Sequence, residues 1–322
     1  MKKKLLLFCL VFAMILSTSA LASAEWKWSR SVELVCPFGS GGGTDTSLRA
    51  LQPFLEKELG VSIIINNRPG SSGLVGAEYF ISQPADGYSY LMITPSHTIH
   101  DVTGAMSFKM QEATESICIL NAEDYVLMAP KGAPYNDLVE LGEYARKHPG
   151  DVTIACISMG GSDEFALNNL TAELGIEVTL VPYSSGAEQI AALLGGFVDL
   201  MLSAPSESGA YIDSGDMKGL GILSQERNDV LPDVKCCADM GLKMNFMVFR
   251  GMVARKGVPQ EALESMRAAF TKAAQAQGWK DWLGNNGLKS DCFGDAAELD
   301  QTYADMYKAV ELGMSMSDAV KK

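Results

Sequence analysis

The sequence predicts an α/β protein of two lobes facing each other across a cleft, and three observations lead there. Apolar, strand-like runs alternate with helix-like ones almost throughout the chain. Glycine- and serine-rich loops stand where strands give way to helices, first at Pro37-Phe-Gly-Ser-Gly-Gly-Gly-Thr-Asp45 and Asn66-Asn-Arg-Pro-Gly-Ser-Ser-Gly73. The same arrangement returns in a second block, at Ser158-Met-Gly-Gly-Ser162 and Pro182-Tyr-Ser-Ser-Gly186. Ligands in open α/β sheets bind at the carboxyl ends of strands, so two such blocks imply two walls of one site.

Taken in order, the chain opens with Lys2 to Lys4, an apolar run over 5–16 and Ala22-Ser-Ala24, the plan of a signal peptide cleaved after Ala24. The run is too short to span a bilayer, and no later segment is long or apolar enough to do so. Cys9 lacks the small neighbours of a lipoprotein cleavage site, so an exported, unanchored, periplasmic protein is expected. Strands are expected over 31–36, 62–65 and 90–94, with helices over 45–59 and 75–82. Leu48, Leu51, Leu55 and Leu59 mark one face of the first helix. The strand-like runs 117–120 and 125–129 continue the sheet. A second series follows: helix 138–147, strand 153–157, helix 164–174, strand 178–181, helix 187–194 and strand 198–202. A strand over 246–254, a helix over 260–277 after Pro259 and a last helix over 297–314 are expected to pack back on the first lobe. The lobes then comprise 25–124 with 247–322, and 125–246.

Composition narrows the function. The formal charge is −13, and removing 1–24 strips three lysines and no acid, giving −16. So acidic a chain is a poor partner for nucleic acid or anionic lipid. About 300 mature residues suit two domains of ordinary size. The six cysteines after the leader show no zinc-like spacing, and Cys36, Cys118 and Cys156 lie in apolar runs as small hydrophobes.

The glycine loops carry the chemistry. Gly39-Ser-Gly41 opens a dinucleotide pattern, but Thr44 holds the third glycine position and no lysine follows, so neither nucleotide motif is complete. What remains is an array of backbone amides at helix starts, which suits a carboxylate or phosphate. Asp45 is expected to cap amides and shape its loop. Arg49 and Arg68, the nearest cations, read equally as ion-paired surface residues or as an anion clamp, and Asp199 equally as part of the cleft wall or a turn cap. His97-Thr-Ile-His100 has a spacing that suits a metal on a helix, but acids nearby are few and Pro95 suggests a loop, so no metal is expected. No G-x-S-x-G hydrolase elbow occurs, and neither catalytic residues nor a cofactor are expected.

At this point a resemblance is specific. Pro37-Phe-Gly-Ser-Gly-Gly-Gly-Thr-Asp45 with Arg49 resembles the first signature of the tripartite tricarboxylate transporter receptors, or Bug family. Asn66-Asn-Arg-Pro-Gly-Ser-Ser-Gly-Leu-Val-Gly-Ala-Glu78 and Pro84-Ala-Asp-Gly-Tyr88 resemble the next two. Gly160-Gly-Ser162, Val181-Pro-Tyr183, Leu194-Gly-Gly-Phe-Val-Asp199 and Leu231-Pro-Asp-Val234 follow in the family's order. The resemblance implies a periplasmic solute-binding protein of the type II, flytrap architecture. It is expected to be a monomer that closes on a small mono-, di- or tricarboxylate and delivers it to a permease of one large and one small subunit.

Carried over by position, the implied ligand contacts are Phe38, Ser40, Gly41, Gly42 and Thr44, then Ser71, Gly73, Thr94 and Ser96. The opposite lobe is expected to add Ser158, Gly161, Ser162, Tyr183 and Ser203. The sequence departs from the family pattern at Ser184-Ser185, at Asp163-Glu-Phe165 and at His97-Thr-Ile-His100, all beside the expected cleft. Acids there point toward a ligand with an amino group, such as an amino acid. The rival readings are an exported enzyme acting on a carboxylate, with His97 or Asp45 as base, and a ligand sensor that docks a membrane kinase.

Overall fold

In a computed structural model, residues 26–157, 159–289 and 291–320 are described; the expected leader, its cleavage point and Ser158 lie outside them. The chain runs β1 (Val32–Cys36), α1 (Gly43–Leu59), β2 (Ile63–Asn67), α2 (Leu74–Ser82), β3 (Ser89–Ile93), α3 (Pro95–Thr103), α4 (Met110–Ala113) and β4 (Thr114–Asp124). It continues through β5 (Val126–Pro130), α5 (Leu138–Lys147), β6 (Thr153–Ile157), α6 (Ser162–Leu174), β7 (Thr179–Tyr183), α7 (Gly186–Leu194), β8 (Leu200–Ser203), α8 (Pro205–Asp213) and β9 (Met217–Ile222). Then come β10 (Met247–Arg255), α9 (Gln260–Ala274), α10 (Gln277–Asn285) and α11 (Ala296–Val320).

Two five-stranded sheets result, ordered β2-β1-β3-β10-β4 and β7-β6-β8-β5-β9. Each sets three parallel strands beside antiparallel ones. In the first sheet Val32 pairs with Ile63 and Leu34 with Tyr90, while β10 runs against both β3 and β4. In the second Thr153 pairs with Thr179 and Ile154 with Leu200, while β5 runs against β8 and β9. The chain passes from the first sheet to the second through Tyr125, between β4 and β5, and returns before β10. This is a two-lobed α/β fold.

Strand alternation builds the core on both faces of the first sheet. Leu34 and Cys36 of β1 pack with Leu48, Leu51 and Leu55 of α1, while Val35 packs with Ala77 and Phe80 of α2. The C-terminal helix returns to the first lobe, where Tyr303 donates to Asp101 at 2.9 Å and Ser116 to Asp300 at 2.6 Å.

Two expectations need correction, and two elements are not anticipated. The segment after β3 is helix α3, not a loop, because Pro95 occupies the first helical turn, where a missing N–H costs nothing. The helix expected over 260–277 is two, since Ala276 is extended (φ −63°, ψ 132°) and starts α10 afresh. Helix α8 and strand β9 are absent from the sequence pattern. Pro205-Ser-Glu-Ser-Gly209 has a loop's composition, and proline at a helix start does not distinguish a helix from a turn.

Candidate functional site

Strand exits from both sheets converge on one cavity of about 50 Å³, several times the roughly 10–15 Å³ that one water needs. The N-termini of five helices reach it: Gly42 and Gly43 of α1, Thr94 and Ser96 of α3, Ser162 and Asp163 of α6, Ser185 and Gly186 of α7, and Ala204 and Glu207 of α8. Helices α1, α6 and α8 carry no side-chain cap, so their first turns lean on other parts of the molecule for hydrogen-bond partners. Five positive helix ends around so small a space form an anion-attracting cradle despite the acidic chain.

Of the residues singled out from the sequence, Phe38, Gly42, Thr44, Thr94, Ser96, Ser162 and Ser203 line this cavity together. Ser40 and Gly41 sit at the exposed tip of the first loop, where the Gly41 amide donates to Asp45 at 2.9 Å. Asp45 thus shapes that loop, and it also binds Arg49 at 2.9 Å and Asn67 at 3.0 Å. Ser71 is exposed on the second loop, and Gly73 packs against the His97 ring. Their neighbour Ser72 is the one that crosses the cleft, donating to the Met159 carbonyl at 3.3 Å. Gly161 is buried at the lobe contact, where a Cβ would overlap Ser72 and Ser96. Tyr183 lines a separate surface depression with Phe197. Arg49 is taken by Asp45, and exposed Arg68 lies over the Tyr79 ring at 4.0 Å; neither reaches the cavity.

The second loop is held by histidines. Ser71 and Ser72 both adopt left-handed backbone (φ 46° and 50°), costly for side-chain-bearing residues. His100 Nε2 donates to their carbonyls at 3.0 and 3.3 Å. His97 Nδ1 accepts the Thr94 amide at 3.1 Å, completing a capping box on α3. Burial drives the His97 pKa down to about 3, so it is a neutral cap at ordinary pH. Among the described residues no group of three or more His, Cys, Asp or Glu is placed to hold a metal.

The four ionisable side chains that line the cavity all lie outside the sequence-derived set: Tyr125, Asp163, Glu207 and Arg250. Arg250 on β10 is 3% exposed and binds Asn121 at 3.0 Å and Glu123 at 2.5 Å. Burial alone lowers its pKa, but Glu123 and Glu207 beside it raise it overall. Tyr125 donates to Asp163 at 2.9 Å and lies 3.0 Å from the Ser162 hydroxyl. Ser162 in turn meets Ser96 of the other lobe, both hydroxyl to hydroxyl and amide to hydroxyl, at 3.0 Å. Burial pushes the Asp163 and Glu207 carboxyls up, against the hydrogen bonds to the first and the Arg250 charge beside the second. Of these four, only Asp163 leaves a trace in the sequence, as a departure from the family pattern.

The geometry defines a class: a two-lobed α/β protein of the periplasmic-binding type with a cavity between its lobes. The family model of the tripartite tricarboxylate transporter family receptor matches residues 48–311, and the chain belongs to that family, one of receptors rather than enzymes. It is similar to a UPF0065 protein of Bordetella pertussis, at 28% identity over 85% of this chain and 86% of that one. Among solved structures, MatC from Rhodopseudomonas palustris with bound malate superposes with a TM-score of 0.82 at 24% identity, covering 88% of this chain and 98% of that one. The periplasmic binding protein BugD superposes with a TM-score of 0.79 at 23% identity, covering 89% and 98%.

Proposed function

We propose that this receptor captures a small carboxylate outside the cytoplasm and delivers it to a tripartite tricarboxylate-type permease with one large and one small membrane subunit. The observation that carries the reading is the convergence of five helix N-termini on one interlobe cavity. Such an array binds an anion without a free cationic side chain, because amide dipoles act strongly in a site that closure has dried. The malate in MatC is consistent with this ligand class. In this reading the ligand meets Phe38, Gly42, Thr44, Thr94, Ser96, Ser162 and Ser203. The lobes divide at 124/125 and 246/247 and shut around it. In the same reading residues 1–24 are a cleaved leader and the mature protein works in a periplasm.

A thermal-shift screen of mono-, di- and tricarboxylates, with neutral sugars and polyamines as controls, tests the reading. A bound acid at a hundredfold excess over its Kd adds about 2.7 kcal/mol of stability and raises the melting temperature. Stabilisation by sugars or polyamines alone, or by nothing, would remove the carboxylate assignment.

A further inference from the structure

One carboxylate already sits in the cradle, and it belongs to the protein. Glu207, on the first turn of α8 in the second lobe, reaches across the cleft and accepts the Gly43 amide of α1 at 2.6 Å. Its Oε1 lies 3.7 Å from Arg250. The seat is shaped for it, because a Cβ on Gly43 would overlap the carboxylate, and a Cβ on Gly186 would come within 2.6 Å of Oε2. Those two glycines begin α1 and α7, one helix from each lobe. Among the described residues nothing donates a hydrogen bond to Glu207 Oε2. The cavity's charged residues are Asp163, Glu207 and Arg250, and the Arg250 charge is already shared with Glu123. Among the described residues lining the cavity, no unmatched cation is left for a doubly charged ligand.

We propose that Glu207 sets the charge class of the ligand: its carboxylate fills one anion position of the cleft, so the receptor takes acids with a single carboxylate and rejects those with two. This rests on the carboxylate-receptor reading and narrows it. A second ligand carboxylate would have to share a cavity holding two acidic side chains and one arginine that is already paired, and like charges in a dried site repel strongly. A far end that is neutral, or an ammonium facing Asp163 and Glu207, meets no such penalty. The acids beside the cleft thereby act on specificity without catalysing anything.

Calorimetry on the intact protein with acids matched in length tests this: butyrate, succinate and 4-aminobutyrate, repeated at three, five and six carbons. The wild type is expected to bind one of the singly carboxylated acids about tenfold or more tighter than the diacid of equal length. Glu207→Gln keeps an acceptor for the Gly43 amide and removes only the charge; Glu207→Ala also empties the seat. The diacid-to-monoacid affinity ratio is expected to rise about tenfold in the first variant and further in the second. Arg250 keeps Glu123 in both, and Glu207→Gln preserves the side-chain shape, so it carries the test if the alanine variant does not fold. A wild type that prefers diacids, or a ratio unchanged in Glu207→Gln, overturns the proposal and leaves the receptor reading standing. Failure of every acid in the series to bind the wild type overturns the proposal, and the receptor reading falls with it only if the thermal screen also finds no stabilising acid.

Discussion

The two lobes share a strand plan and differ in what they bring to the cleft. The first sheet, with β10 next to its middle strand, presents the α1 amides, Thr94, Ser96 and the Arg250 guanidinium. The second presents Ser162, Ser185 and Ser203, together with the carboxylates of Asp163 and Glu207. The cavity therefore joins a face with two helix N-termini and one cation to a face with three helix N-termini and two acids. Similar topology does not make the halves equivalent. Complementarity comes from single residues placed around the cavity, and Glu207 on the Gly43 amide is its most direct expression.

The largest effect is expected from removing the one cation. Arg250→Met leaves Glu123 and Glu207 buried together without a counter-charge, a change that costs about 3–5 kcal/mol in comparable buried pairs. Ser206 still donates to Glu123 through its amide at 3.0 Å and its hydroxyl at 2.7 Å, which places the expected cost at the lower end of that range. The sign of the pH dependence follows from the surviving charges. Protonation removes an unpaired buried carboxylate, so the deficit of the variant shrinks as pH falls and is greatest above the carboxylate range. Urea denaturation of both proteins at several pH values measures it. A deficit below about 1 kcal/mol, or one that grows on acidification, would show that the network does not bind the lobes as described.

How much of this is legible in the sequence depends on the signal each part leaves. The first loop is readable because a run of small residues between an apolar strand and a leucine-faced helix is suited to displaying backbone amides and to little else. Phe38, Gly42 and Thr44, contacts implied by the family resemblance, line the cavity. The second loop is readable as a loop but not as a buttress. The family resemblance implies Ser71 and Gly73 as ligand contacts, whereas it is Ser72 that crosses the cleft and His100 that holds the turn, through backbone angles no composition reveals. Arg250 and Glu207 are invisible for a different reason. Each is one charged residue in an ordinary strand or helix, and its role comes from a partner more than forty residues away. Long-range charge pairing leaves no periodicity to read.

A second way to break the comparison is to wedge the lobes apart at their closest glycine. Gly43→Val puts a side chain where the Glu207 carboxylate and the Arg250 guanidinium now lie, so the closed form is overpacked by an expected ~2 kcal/mol. If closure and binding are one event, ligand affinity falls roughly thirtyfold for that energy. Gly42→Ala is the comparison within the same loop: its new Cβ would meet no protein atom nearer than 3.6 Å, so closure stays free of overpacking and any loss of affinity there reports the ligand contact alone. Calorimetry with an acid identified in the thermal screen, alongside small-angle scattering with and without it, separates the two. Equal losses in both variants would mean that the loop as a whole, rather than the Gly43 contact, governs closure.

The smallest effect sharpens the claim that amide dipoles, rather than side-chain cations of the first lobe's loops, meet the ligand. Arg68 follows Asn67 in the second loop and is the cation that a reader of the sequence would choose as an anion clamp. Its guanidinium is instead 4.0 Å from the Tyr79 ring centroid, on an exposed surface and outside the cavity. Removing an exposed cation–π contact costs about 0.5–1 kcal/mol of stability. Arg68→Ala is therefore expected to lower the melting temperature slightly and to leave ligand affinity within about twofold of the wild type. Its weak long-range field is screened by salt, so any residual change in affinity should vanish between low and physiological ionic strength. A tenfold loss that persists in salt would place a cation at the ligand after all, and the division of labour between the lobes would have to be redrawn around it.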